Sequence, residues 1–237
     1  MNRQVLAAAV ALLAVGSGCL GVAAPNPVDD PTVVTNVERG DWDAVYDAHR
    51  RALSDGQSVR VYHESRVNGS VVRTTEFVAN RTQRRARSHE WNTRAGNDDE
   101  LTRFVGPNAT YVRQTDIGGG DASLRVGRGE AFQRERSWIQ HVELPTRRFL
   151  SAYDFEFAGR TDDGYAFRAS ELSESAPYNF ASVGGRLVVD DSGYIRSLRL
   201  EHATRDDGRV TAATYTYRVT GVNHATVAVP AWANRTP

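Results

Sequence analysis

From residue 58 to the C-terminus the chain alternates apolar and polar positions with period two, the pattern of strands that bury one face. In 58–67, Val59, Val61, His63, Ser65 and Val67 fall opposite Arg60, Tyr62, Glu64 and Arg66. Asn68-Gly69 then predicts a tight hairpin into Val71–Ala79, because both residues tolerate the positive φ of such a turn. Residues 82–91 continue as a third strand, followed by shorter ones at Leu101–Phe104, Ala109–Thr115 and Ser123–Arg128. After a break, Phe155 and Phe157 lead through Asp163-Gly164 into Tyr165, Phe167 and Ala169. Arg186–Asp190, Tyr194–Ala203 and Arg209–Thr220 form a meander, with turns at Asp191-Ser192-Gly193 and Asp207-Gly208. A last strand is expected at Ala225–Val229, ending at Pro230.

Two segments depart from this rhythm. Asp41 is an N-cap before Trp42, Val45, Tyr46, His49, Ala52 and Leu53, which share one helix face, and Gly56 stops the helix predicted over 42–54. Residues 129–152, carrying Phe132, Trp138, Ile139, Phe149 and Leu150, fit one or two short helices. No repeat and no linker divides 41–237. The expected fold class is therefore α+β, mostly antiparallel β: a single curved sheet wrapped around a few helices, with one wet face.

The first residues have a different logic. Asn2-Arg3 precedes an apolar run from Val5 to Val15, then Gly16-Ser17-Gly18 and Cys19, the one cysteine of the chain. The run is too short for a membrane span, which needs about 20 residues. It reads as a signal peptide over 1–18, and the small residues before Cys19 make that thiol the expected lipidation site. An ordinary signal peptide with an incidental cysteine is the other reading. Residues 19–40, with Pro25, Pro27, Pro31 and Asp29-Asp30, read as an extended tether. The expected location is the extracytoplasmic face of the cell membrane, held by a lipid anchor. Asn68, Asn80, Asn108 and Asn234 begin N-glycosylation sequons and are candidates for modification.

Composition removes several activities. The 29 basic residues are all Arg and balance 29 acidic ones, so Schiff-base and P-loop lysine chemistry is excluded and nucleic acid is not an expected partner. Six histidines lie in separate elements without metal-site spacing, and no metal or cofactor is expected. His63 and His202 sit on otherwise apolar strand faces, as interior or cavity-lining polar groups. Three of the five Asp pairs lie against Gly at predicted hairpin ends, and no Gly-x-Ser-x-Gly elbow follows the leader, so we do not expect an enzyme and assign no catalytic residue. The run Arg81, Arg84, Arg85, Arg87 and Arg94 reads as a solvated outer strand paired with acidic neighbours.

The leader, the Pro/Asp tether, the helix pattern Asp41-x-x-Ala44-x-x-Asp47-Ala48-His49-x-x-Ala52-Leu53 and the ending Val227–Pro230-Ala231-Trp232 resemble haloarchaeal lipoproteins of uncharacterised function over nearly the whole chain. The absence of Lys and the presence of only three Ile fit the GC-rich coding of such organisms. That family is similar in architecture to the LolA/LppX carriers, a half-barrel with an apolar concavity. The resemblance implies binding of a lipid, an isoprenoid or another hydrophobic molecule, and it implies no catalytic residues. Candidates to line the concavity are His63, Tyr165, Phe167, Leu198, Leu200, Tyr215 and Tyr217 on the strands, with Trp138 and Phe149 placed to cover them. The same aromatics would equally fill a solid core. The alternative is a non-catalytic envelope protein acting through its charged outer face, with a cell-surface glycoprotein as partner.

Overall fold

The computed structural model describes residues 31–94, 97–116, 122–128, 132, 147–173 and 180–234. Residues 31–237 form one compact unit. The leader, Cys19 and Trp138 lie outside the described residues, as does most of 129–146.

The unit begins earlier than the predicted tether allows. Helix α1 spans Pro31–Glu38, with proline at a first-turn position where the missing N–H costs nothing. Val33, Val34 and Val37 recur at helical spacing and pack on the core, and Gly40 leaves the helix at φ +66°. The prolines of this stretch suggest an extended chain, but the valine stripe after Pro31 wins because it has apolar surface to cover. Helix α2 follows at Trp42–Asp55, with the Asp41 carboxylate accepting from the Ala44 N–H at 3.1 Å. It buries Trp42, Val45, His49 and Leu53.

Six strands then form a meander: β1 (Ser58–Val67), β2 (Ser70–Asn80), β3 (Arg85–Arg94), β4 (Asn97–Val105), β5 (Ala109–Asp116) and β6 (Ser123–Arg128). A four-residue helical turn, α3 (Arg147–Leu150), leads into β7 (Tyr153–Thr161), β8 (Gly164–Leu172), β9 (Phe180–Val189), β10 (Ile195–Asp206) and β11 (Arg209–Val222). All eleven join one open antiparallel sheet in the order β6-β5-β4-β3-β2-β1-β11-β10-β9-β8-β7. The chain works outward from the middle to one edge, resumes at the opposite edge, and returns to close β11 against β1. Bulges at Arg60/Val61, Ser65/Arg66 and Phe157/Gly159 bend the strands and curve the sheet.

The turns obey the predicted chemistry. Asn68 (φ 50°) with Gly69 (φ 83°), and Asp207 (φ 44°) with Gly208 (φ 78°), take the paired left-handed conformations that match strand twist. Three expectations shift. β3 starts at Arg85 rather than residue 82, because Asn80 Oδ1 accepts from the Gln83 N–H and closes a turn over 81–84. β9 begins at Phe180, well before Arg186. Within it Gly185 leaves room for the Phe155 ring, Ala169 and Leu200, all within 3.4 Å of where a Cβ would stand. The third is the expected last strand at Ala225–Val229, which joins no ladder. It is a strap across the outer face, held by side chains: Ser58 Oγ accepts from the Ala225 N–H, Gln83 Oε1 from the Val227 N–H, and Asn80 Nδ2 donates to the Ala225 carbonyl.

The sheet separates two apolar layers, and the strap covers the outer one. The main core lies on the inner face under α1 and α2, centred on Phe167, Leu187, Leu198, Leu200 and Tyr217. Full burial of each such side chain contributes about 1.5–3 kcal/mol. A smaller core on the outer face joins Val78 and Phe104 to Ala225, Val227 and Ala233, with Tyr111 and Trp232 against it. One sheet edge is guarded: α1 packs along β7, and Glu38 Oε1 accepts from the Phe157 N–H at 3.4 Å.

Candidate functional site

Register decides which predicted residues meet. β1 pairs with β11 so that His63 stands opposite Tyr217 and Ser65 opposite Tyr215. β11 in turn sets Tyr217 beside Leu198 and Tyr215 beside Leu200 of β10. The inner face thus carries a histidine and two tyrosines side by side, and α2 adds His49 from above.

His49 is buried and fully bonded. Its Nδ1 accepts from the Ile195 N–H at 2.9 Å, which places the proton of the neutral ring on Nε2, donating to the Tyr217 hydroxyl at 3.2 Å. Burial, and secondarily His63, pushes its pKa down to about 3. His63 Nδ1 lies 2.6 Å from the Tyr215 hydroxyl, and its ring is edge-on to Tyr217 at 5.0 Å. Burial, with the Arg73 charge behind it, lowers its pKa to about 4. The same desolvation raises the Tyr215 and Tyr217 hydroxyls above their ordinary range. The group is neutral throughout.

A second aromatic group continues along the same face. His202 of β10 stacks on Phe180 at 4.3 Å and meets the edge of Phe149 at 5.4 Å, with its Nδ1 3.3 Å from the Tyr153 hydroxyl. Phe149 also contacts Tyr153 and Phe180. Burial lowers the His202 pKa and raises that of Tyr153. Phe149, Phe180, His202, His63 and Tyr215 are half-buried, as are Leu172 and Val183 packed on the core beside them. Beyond Tyr215 the face turns polar, where Arg73 pairs with Glu90 at 2.9 Å and Asn92 donates to Glu90.

The candidate lining residues therefore separate into two sets. Phe167, Leu198, Leu200 and Tyr217 are at most 1% exposed, so water scarcely reaches them, and they are packing rather than cavity wall. Tyr165, also buried, carries the guanidinium of Arg160 over its ring at 5.1 Å. His63, Phe149 and Tyr215 keep accessible surface. Phe180 and His202 join them, while Tyr153, which bonds His202, is itself buried. His202 carried a signal in the sequence, on a strand whose alternate residues Leu198 and Leu200 are apolar; Phe180 carried none, and only cross-strand register shows that the two meet.

Among the described residues, neither histidine–tyrosine group includes a carboxylate that would orient the ring as a general base. Among the described residues no cluster of three or more His, Cys, Asp or Glu could hold a metal ion. No helix among them is long and apolar enough to cross a membrane.

The sequons differ in access. Asn108 is exposed at the β4–β5 turn and Asn234 is exposed at the end of the strap. Asn68 is exposed, with Oδ1 accepting from the Ala212 N–H. Asn80 is half-buried and uses both ends of its amide, to Ala225 and Gln83, so a sugar there would displace the strap.

No family model matches the chain, and no curated protein matches it. Among solved structures it is similar to an uncharacterized conserved protein from Thermus thermophilus, at 12% identity and TM-score 0.32, over 83% of this chain and 94% of that one. It is also similar to MucB in its complex with MucA(peri), at 14% identity and TM-score 0.31, covering 76% of this chain and 56% of the MucB chain.

Proposed function

We propose that this protein is a lipoprotein anchored through Cys19 at the extracytoplasmic face of the cell membrane, a half-barrel of the LolA/LppX kind that binds a lipid or another hydrophobic molecule. The observation that carries this reading is the half-buried aromatic rim of Phe149, Phe180, His202, His63 and Tyr215, which lies directly on the packed core. Large apolar rings kept partly accessible, with polar tips that hydrogen-bond one another, offer an acyl or isoprenoid chain contact without uncovering a charge. Phe167, Leu198, Leu200 and Tyr217 act as the floor beneath that rim, not as its wall. The neutral histidines and raised tyrosines suit an apolar occupant better than an ionic one.

The test is native mass spectrometry of protein purified from its own host, followed by organic extraction. A near-stoichiometric lipid or isoprenoid supports the reading, and Phe180→Asp should abolish co-purification. A clean apo mass with no uptake of added lipid refutes it.

A second reading, an envelope protein acting through its outer face, draws on the ion pairs there. Arg196 reaches Asp163 and Asp190, Arg160 reaches Asp191, and Arg199 reaches Glu201. Such a role predicts binding to a cell-surface glycoprotein that weakens as salt is added.

A further inference from the structure

On the outer face, where the strap leaves the smaller core, the sheet and the strap enclose a pocket of about 260 Å³. We infer that it binds a small organic oxyanion: a carboxylate carried on a hydroxylated ring of single-sugar size.

The strand register builds the site. Arg60, Val78 and Arg87 stand in one cross-strand row on β1, β2 and β3. Two strand spacings of about 4.8 Å separate the two arginines. Both arginines therefore flank Val78 and line the pocket, where their guanidinium forks can grip one carboxylate from two sides. Arg60 gives one N–H to Glu76 at 3.2 Å and keeps the others. Arg87 has no hydrogen-bond or ion-pair partner among the described residues.

The rest of the wall explains why a bare inorganic anion is a poor fit. Glu76 is an acceptor facing the same space, and it would repel an ion placed beside it while receiving hydroxyl groups readily. Thr226 of the strap also lines it, and Val78 with Ala228 supplies an apolar surface for one face of a ring. His89 completes the lining, its Nε2 engaged with Glu100 at 2.9 Å. The strap presents Thr226 and Ala228 here because the alternate residues, Ala225 and Val227, are consumed in the core beneath. With two guanidiniums and one carboxylate, Arg60, Arg87 and Glu76 together carry one net positive charge.

The probe is glucuronate, titrated into the full chain and followed by calorimetry and by amide chemical shifts. Saturable one-to-one binding is expected, with shifts centred on β2, β3 and residues 224–229. Glucose should bind at least about tenfold more weakly, and Arg87→Gln should cost about tenfold or more in affinity, as loss of a charge-assisted contact does. Arg87→Lys should also weaken binding, because the charge stays but the fork is lost. Arg209→Gln, exposed at the far end of β11, should bind as the unaltered protein does. An Arg87→Gln protein with unchanged circular dichroism and unchanged affinity overturns the assignment. So does glucose binding equal to glucuronate, or inorganic sulfate competing as strongly as glucuronate.

Discussion

His49 makes the most demanding prediction. In the folded chain its ring is neutral, with Nδ1 held by the Ile195 N–H and a pKa of about 3 against an ordinary 6.5. The unfolded chain takes up a proton that the folded chain refuses. Its contribution to stability is therefore complete above about pH 6.5 and drains away as pH falls toward 3. At about pH 5 the deficit has run for roughly 1.5 pH units, or about 2 kcal/mol at 1.36 kcal/mol per unit. That is a large share of the 5–15 kcal/mol typical of a domain. His63, lowered to about 4, adds a loss of the same sign over a narrower window. His49→Asn keeps an acceptor near the Nδ1 position but does not titrate. It should be less stable than the parent at about pH 7.5 by roughly 2–3 kcal/mol, through the lost ring packing and the lost Tyr217 bond. Between about pH 7.5 and 5 it should lose about 2 kcal/mol less than the parent does. Urea unfolding followed by tryptophan fluorescence at both pH values supplies the four free energies. A variant with the parent's full pH dependence would show that His49 is not the group that takes up the proton, and the reasoning would fail.

Other expectations follow from single contacts. Gly164→Ala should destabilise by more than about 2 kcal/mol in urea unfolding, because φ is +121° and a Cβ would lie 2.1 Å from the Val189 carbonyl oxygen. Val227→Ala should cost about 2 kcal/mol, and a lowered urea midpoint with an unchanged m-value would confirm that the strap is part of the cooperative fold. In an N-glycosylating host, peptide mapping should find sugar at Asn108 and none at Asn80, whose amide is committed to Ala225 and Gln83.

Much of the site was legible as separate halves. His63, Tyr215 and Tyr217 could be assigned to inward-facing positions because side chains alternate along a strand. Their meeting depends on β1 lying beside β11, which brings together His63 and Tyr215, 152 positions apart in the chain. No local pattern encodes that neighbour. The same holds for His202 and Phe180, joined by the β9–β10 register, and for Arg60 and Arg87, joined through β2. The strap shows the limit most clearly. Its alternation of buried Ala225 and Val227 with exposed Thr226 and Ala228 was correct for an extended segment. Alternation reports only that one face is covered, not whether the backbone pairs with a strand or side chains hold it.

What the sequence determined by itself is local: the Asn68-Gly69 and Asp207-Gly208 turns, the capped helix after Asp41, and the two faces of each strand. These depend on residues within a few positions of one another, through φ preferences, capping and periodicity. Tertiary structure decided the order of the eleven strands and which inward residues became packed floor or accessible rim. It also decided that Pro31–Glu38 belongs to the folded unit and that the C-terminal segment builds a second core. Those outcomes depend on burying apolar surface against residues far away in the chain. The free energy of that burial belongs to the assembled sheet, not to any one segment.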